Sequence, residues 1–174
     1  GELYGVTKHM FEQALSTLET LHRIGVYQRI SVSLVSESLF EVDLVDYIEQ
    51  QLQQHKIAGK YLMIELNEQI MLNASQRVKG IIDQLKSLDI NISIANFSGS
   101  YESLRYVRKM AIHQLKVDCQ QLTNDSSNRV DKAITNALVT LTQSMKIPLV
   151  GTHINSHDAS QAYTSMGGEL IQGD

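Results

Sequence analysis

Residues 61–95, YLMIELNEQIMLNASQRVKGIIDQLKSLDINISIA, contain two apolar runs separated by a helical pattern. Residues 61–66 are short, apolar and strand-like, and residues 90–95 form a second run of the same kind. Residues 70–88 between them are typical of a helix. Two strands joined by a single helix predict a parallel pair, because the chain must cross back over the sheet before the second strand can form.

The same alternation extends in both directions along the chain. We expect the remaining helices at residues 6–21, 39–54, 101–110, 130–145 and 158–166, and the remaining strands at residues 29–35, 115–117, 147–151 and 169–171. Gly25 and Gly59 stand at helix-strand joints, and Pro148 lies near the start of a strand, where its missing amide costs least. The polar run 123–128 is the best loop candidate. The sequence therefore predicts an α/β protein with mainly parallel strands.

Composition limits the class of protein and its partners. A chain of 174 residues, 43% of them apolar, predicts one domain over residues 1–174. The formal net charge of -4 gives no broad positive field, so we expect no direct nucleic-acid binding. No apolar run is long enough to cross a membrane and no export signal is present, which predicts a cytoplasmic segment without membrane contact, although the parent protein could be anchored. We expect Cys119 to be a small buried side chain, and the alternative is a reactive thiol.

Candidate ligand-binding residues follow the predicted strands. In parallel α/β folds these side chains lie at the carboxyl ends of strands. The positions concerned are Ser33, Glu65, Ala95, Asn96, Lys116, Asp118, Thr152, Asn155 and Gln172.

Six of these segments resemble motifs of the EAL family of cyclic di-GMP phosphodiesterases, in the family's order. Residues 30–34 (ISVSL) resemble its V-S-V-N-L strand, residues 64–68 (IELNE) its E-[IL]-T-E strand, residues 95–104 its D-D-F-G-T-G-Y-S-S-L segment, residues 115–118 (LKVD) its L-K-I-D, residues 151–155 its A-E-G-V-E, and residues 171–173 (IQG) its terminal V-Q-G. The resemblance implies a TIM-type barrel. Because the strand that carries the Glu-Ala-Leu motif and the final barrel helix have no counterpart in these residues, we expect an abridged or incomplete barrel.

The resemblance also implies a loss of the family's chemistry. Hydrolysis in this family resembles two-metal phosphodiester cleavage, in which several carboxylates hold a pair of divalent cations. Ser33 stands where the family has a metal-binding asparagine, Ala95 and Asn96 replace two consecutive aspartates, and Thr152 and Asn155 replace two glutamates. We therefore expect no metal site, no cofactor and no enzymatic activity.

Some of the family's strand-end residues remain. Glu65, Asn96, Lys116, Asp118 and Gln172 are the candidate ligand-binding residues, interpreted as vestigial. The alternative is structural: a glutamate and a lysine at barrel-strand ends, such as Glu65 and Lys116, can pair with each other and be retained for folding alone.

Three further patterns each have a functional and a structural interpretation. His153 and His157 with Asp158 have metal-ligand spacing, but we favour a polar loop followed by a helix N-cap at Ser156 or Asp158. The basic residues Arg105, Arg108 and Lys109 could meet an acidic partner, or form a solvated helix face. The loop 98–100 could cradle an anion at a helix start.

Taken together, the sequence predicts a catalytically inactive, EAL-like regulatory domain of a longer bacterial signalling protein. We expect it to act through a protein partner or through self-association, since an uncovered strand edge or helix face must be covered. The first alternative is a cyclic di-GMP receptor that does not hydrolyse its ligand. The second alternative is an active phosphodiesterase.

Overall fold

The computed structural model describes residues 1–120, 122 and 129–173. The predicted loop at residues 123–128 lies outside the described residues. The chain divides into two compact units, residues 1–93 and 94–174, which are described separately. No helix of the described residues combines the length and the apolar composition needed to span a membrane.

The first unit alternates helices with parallel strands. Its elements are α1 (Glu2–Arg23), β1 (Ile30–Leu34), α2 (Ser36–Leu39), α3 (Leu44–His55), a 3₁₀ turn (Gly59–Tyr61), β2 (Leu62–Asn67), α4 (Glu68–Asn73) and α5 (Ser75–Ser87), and β3 (Asn91–Ala95) begins in this unit and ends in the next. Strands β1 and β2 pair in parallel, with Val32 opposite Ile64 and Ser33 opposite Glu65. This pairing confirms the parallel arrangement predicted from the helical crossover.

Apolar side chains from helices and strands form the core of this unit. The largest side chains that are fully buried here include Phe11, Leu15, Leu18, Leu39, Ile48, Ile64 and Ile82. Helix α1 provides the first three at spacings of three and four, so one stripe of the helix is buried, as the periodicity predicted. The helix starts at Glu2, four residues earlier than expected.

Two glycines stand where the backbone requires them. Gly25 has φ of +78° and lies just after α1, where the amide of Val26 donates to the carbonyl of Leu21. Gly59 packs against the end of α5: a Cβ atom there would lie 1.8 Å from the carbonyl oxygen of Leu88. Any side chain at Gly59 would therefore collide with backbone.

Two predicted long helices are each broken in the structure. The segment 39–54 divides at residues 40–43, and Val42, whose spacing from Leu39 and Val45 is helical, lies in the turn and is 99% exposed. The segment 70–88 divides at Ala74, whose φ of -143° and ψ of 47° are not helical. Asn73 and Ser75 flank this break, and both residue types compete with helical hydrogen bonds by bonding the backbone locally.

The second unit continues the alternation. Its elements are α6 (Tyr101–Met110), β4 (Gln114–Asp118), α7 (Arg129–Met145), β5 (Leu149–Thr152), α8 (His157–Ser165) and β6 (Leu170–Ile171). Strand β5 pairs in parallel with β4 on one side and with β6 on the other. Tyr163 of α8 is fully buried, and its hydroxyl donates to the carbonyl of Leu149 at 3.2 Å.

The described residues contain six strands, whereas a complete barrel of this type has eight. All the pairings described within the two units are parallel. Both observations agree with the predicted α/β fold of an abridged barrel.

Candidate functional site

In the first unit, the strand-end residues are Ser33 on β1 and Glu65 on β2. The parallel register places them opposite each other, and the Ser33 hydroxyl donates to the Glu65 carboxylate at 2.9 Å. Glu65 therefore has a neutral hydrogen-bond partner at the position where the family resemblance implies an amide ligand of a metal.

In the second unit, the strand-end carboxylate is that of Asp118. Asp118 lies opposite Thr152 in the β4–β5 pair, and the ring nitrogen Nδ1 of the next residue, His153, is 3.0 Å from Asp118 Oδ1. Since a carboxylate only accepts, the imidazole N–H donates in this pair. Both side chains are 45% exposed, so the pair lies at the surface of the strand ends.

His153 reaches Asp118 through an uncommon backbone conformation. Its φ is +58°, in the left-handed region that residues other than glycine seldom adopt. Thr152 adds a second contact to the same ring nitrogen at 3.3 Å and donates its hydroxyl to the Val117 carbonyl at 3.2 Å. The residue pattern did not predict the Asp118–His153 pair. The pair depends on the β4–β5 register and on the left-handed φ of His153, so no local sequence signal could have found it.

Lys116 and Gln172 form the other polar pair of this unit. The Lys116 side chain is almost entirely buried, with 8% exposure, and its Nζ donates to Gln172 Oε1 at 2.8 Å. Gln172 is fixed by its backbone, because its amide donates to the Gly151 carbonyl and its carbonyl accepts from the Ile154 amide. Two of the predicted ligand-binding residues are therefore in direct contact.

Asn96 and Asn155 are exposed. Asn96 follows β3 and has φ of +56°, and the next residue, Phe97, is buried and donates its amide to the Lys116 carbonyl at 2.8 Å. Asn155 follows the Thr152–His153 segment, and a Cβ atom added at Gly173 would lie 3.1 Å from its Oδ1. Neither residue brings a carboxylate to the strand ends.

The alternative metal interpretation of His153 and His157 has little geometric support. His157 is the first residue of α8, while His153 is engaged by Asp118. Within the described residues no group of three or more histidine, cysteine, aspartate or glutamate side chains is placed to hold a metal ion. Ser156 is the N-cap of α8, since its hydroxyl accepts from the Ala159 amide at 3.0 Å, so the predicted cap is confirmed at Ser156.

Cys119 is buried, as predicted. Its exposed fraction is 1%, its amide donates to the Thr152 carbonyl at 2.9 Å, and burial raises the pKa of its thiol to about 11. A thiol with a raised pKa is a poor nucleophile at neutral pH, which favours the structural interpretation over the reactive one.

The loop 98–100 is fixed by its own contacts. Ser100 caps α6 by accepting the Ser103 amide at 3.2 Å, and Gly99 has φ of +76°. A Cβ atom at Gly99 would lie 2.4 Å from Leu138 Cδ2, so this glycine also allows the loop to approach α7.

The structure thus brings the predicted residues together as three pairs, Ser33 with Glu65, Asp118 with His153, and Lys116 with Gln172. The pairing expected between Glu65 and Lys116 would join the two units, and it stays a prediction.

Comparison with known families decides the identity of the fold. Residues 3–174 match the family described as EAL domain. The chain belongs to the EAL family. This confirms the resemblance inferred from the six sequence motifs, and the family relationship covers nearly the whole chain.

Curated relatives include cyclic di-GMP phosphodiesterases. The chain is 26% identical over 166 residues to the cyclic di-GMP phosphodiesterase NbdA of Pseudomonas aeruginosa, which is 94% of this chain and 21% of that protein. It is 26% identical over 147 residues to the bifunctional diguanylate cyclase/cyclic di-GMP phosphodiesterase MucR of the same organism, which is 83% of this chain and 21% of that protein. The EAL chain spans about a fifth of the length of these relatives.

Solved structures share the fold. The PaMucR phosphodiesterase in complex with c-di-GMP has a TM-score of 0.88 and 22% identity, over 99% of this chain and 76% of that chain. The Xanthomonas citri FimX EAL domain in complex with c-diGMP has a TM-score of 0.84 and 15% identity, over 99% of this chain and 68% of that chain. These likenesses confirm the predicted EAL-type α/β fold.

Proposed function

We propose that this EAL domain does not hydrolyse cyclic di-GMP and regulates signalling through contacts with a protein partner or a second copy of itself. The observation that carries the proposal is the Asp118–His153 pair. It gives the strand-end carboxylate of the second unit an imidazole partner, where a phosphodiesterase needs carboxylates that face cations.

The strand-end residues do not fit a pair of divalent cations. Magnesium and similar hard cations require several oxygen ligands, preferably anionic. The positions that the family resemblance assigns to carboxylate ligands hold Ala95, Asn96, Thr152 and Asn155. An alanine offers no ligand, and neutral amide and hydroxyl oxygens do not compensate two dications.

Incubation of the purified domain with cyclic di-GMP and magnesium or manganese tests this proposal. We expect the cyclic dinucleotide to remain intact. Metal-dependent appearance of the linear dinucleotide would reject the proposal in favour of an active phosphodiesterase.

A non-hydrolysing cyclic di-GMP receptor is the second candidate function. The Lys116–Gln172 pair favours it, because a buried lysine with a hydrogen-bonded amide partner keeps a cation and a polar group at the strand ends. Lys116, Gln172 and Asp118 would then contact the ligand, with Glu65 and Asn96 completing the set proposed from the sequence.

Calorimetry separates these two functions. Titration of the domain with cyclic di-GMP should give no heat if it acts only through protein contacts. A receptor would give binding heat that Lys116→Ala and Gln172→Ala both abolish, while Arg29→Ala, a change to an exposed residue of the first unit, would leave it unchanged.

We further propose that residues 1–174 act as one cytoplasmic domain of a longer signalling protein, as the sequence predicts.

Sedimentation of the domain across a concentration series tests self-association. A monomer at all concentrations would direct the search to a different protein partner.

A further inference from the structure

An apolar groove lies between α6 and α7 in the second unit. Its volume is about 590 Å³, and its apolar lining comprises Leu104, Val107, Ile112, Leu141, Met145 and Ile147. Leu104, Leu141 and Met145 are only half-buried, so the groove exposes side chains of the kind that normally fill a core.

The edge of this groove is basic. Arg108 belongs to its lining, Arg105 lies three residues earlier on the same side of α6, and the exposed Lys146 directly follows Met145. The acidic residues of the two helices, Glu102 and Asp131, lie in their first turns, and none occurs among residues 103–117 or 132–157, which include all the lining residues. A lining without carboxylates and a basic edge, in a chain with net charge -4, indicate a preference for an acidic partner.

We infer that the α6–α7 groove binds an acidic amphipathic helix of a partner protein. The inference rests on the proposed regulatory function and assigns it a surface and a partner chemistry. Apolar residues of the partner at positions i, i+4 and i+7 enter the groove, and its flanking carboxylates meet Arg105 and Arg108. The ten residues of α6 are roughly 15 Å long, which matches two to three turns of a bound helix.

A second copy of the chain fits the groove less well than an acidic helix. Among the described helices, exposed apolar residues at helical spacing occur on α1 (Leu3, Val6 and Met10) and on α7 (Val130 and Ile134). The first set has Glu2 and Lys8 close to it and the second has Arg129, Asp131 and Lys132, so both helix starts are mixed in charge and do not complement a basic groove. A flat anionic membrane also fits poorly, because the apolar lining is recessed between two helices.

Binding of a designed probe tests the inference. The probe is a synthetic amphipathic helix of about 18 residues with leucines on one face and glutamates on the other. We expect the full chain to bind it, with nuclear magnetic resonance shifts at the methyl groups of Leu141, Met145 and Ile112. The double variant Arg105→Glu/Arg108→Glu should weaken binding at least about tenfold, and added salt should weaken wild-type binding.

Three further measurements keep the test specific to the groove. Arg29→Glu/Lys56→Glu makes the same charge change at exposed positions of the first unit and should alter affinity less than about twofold. A probe with lysines in place of the glutamates should not bind. Leu141→Gln, with folding verified by circular dichroism, should weaken binding while keeping every charge.

Several outcomes would overturn the inference. The first two are equal binding of the acidic and basic probes, and nuclear magnetic resonance shifts that fall outside the groove. The other two are binding to phosphatidylserine vesicles that depends on the groove residues, and self-association of the chain that Leu141→Gln abolishes. The proposed function fails separately, through metal-dependent hydrolysis of cyclic di-GMP in the same preparation. In that case, binding of the acidic probe would still test whether the groove binds a helix.

Discussion

Of the chain's glycines, Gly59 has the least space for an added methyl group. A Cβ atom would lie 1.8 Å from the Leu88 carbonyl oxygen, and its three nearest neighbours are backbone atoms of Leu88 and Asp89, which cannot rotate away as a side chain can. We therefore expect Gly59→Ala to lower the free energy of unfolding by at least about 2 kcal/mol, measured by urea denaturation.

Gly80 provides the matched control for this substitution. It lies within α5 with no atom within 4 Å of an added Cβ, so Gly80→Ala should stabilise the protein by about 0.5–1 kcal/mol. Equal effects of the two substitutions would contradict the close packing between Gly59 and Leu88.

The reactivity of the Cys119 thiol tests whether this residue is buried inside the second unit. Because burial raises the pKa of its thiol to about 11, only about one molecule in a thousand carries the thiolate at pH 8. We expect alkylation by iodoacetamide at pH 8 to be at least about a hundredfold slower in the folded protein than in 6 M guanidinium. A folded-state rate close to the unfolded one would show that the thiol is accessible and support the reactive interpretation.

Residue-level prediction from the sequence succeeded where the chemistry is local. The burial of Cys119 and the cap at Ser156 were both predicted from the sequence. The Asp118–His153 pair was not, because it requires the β4–β5 register and a left-handed φ at a histidine, and neither is encoded in a local pattern.

At the scale of elements, the serine N-caps of α6 and α8 can be tested directly. The hydroxyls of Ser100 and Ser156 each accept a hydrogen bond from the backbone amide three residues further along the chain. This bond satisfies one of the free N–H groups at the helix start. Ser100→Ala and Ser156→Ala should each cost about 1 kcal/mol of unfolding free energy in thermal or urea denaturation.

The control for the caps is Ser165→Ala. Ser165 lies at the end of α8 and its hydroxyl donates to the Gln161 carbonyl of the same helix, so alanine should be neutral or slightly stabilising. If Ser165→Ala lowered the unfolding free energy as much as the cap substitutions do, removal of the hydroxyl would act by some route other than capping.

Element boundaries show what periodicity can and cannot predict. Helix α6 was predicted with its observed bounds, since its apolar spacing marks it. The breaks at residues 40–43 and at Ala74 were missed, because apolar residues continue at helical spacing through both turns. Only the local hydrogen bonding of the folded chain separates these pairs of helices.

At the scale of the whole molecule, the order of the sequence motifs along the chain was the strongest evidence for the fold. Six short motifs in a fixed order predicted the EAL family and its parallel α/β fold, and both are confirmed. Which strand-end groups contact each other was not predictable to the same degree. The Lys116–Gln172 contact, for instance, depends on the position of a glutamine that follows a two-residue strand.

The predicted ligand-binding set also belongs to this scale, because it draws on both units. Glu65 comes from the first unit, and Asn96, Lys116, Asp118 and Gln172 come from the second. Whether these five residues act on one ligand stays a prediction, and the calorimetric series with cyclic di-GMP addresses it.

We propose that this EAL domain cannot assemble two cations around a phosphodiester. The most direct test of this claim is a single-turnover assay, with the domain in excess over labelled cyclic di-GMP in 10 mM manganese or magnesium and the PaMucR phosphodiesterase as positive control. We predict that the ligand stays cyclic for hours while the control consumes it. Linear product formed by the domain at a rate that a chelator abolishes would contradict the claim.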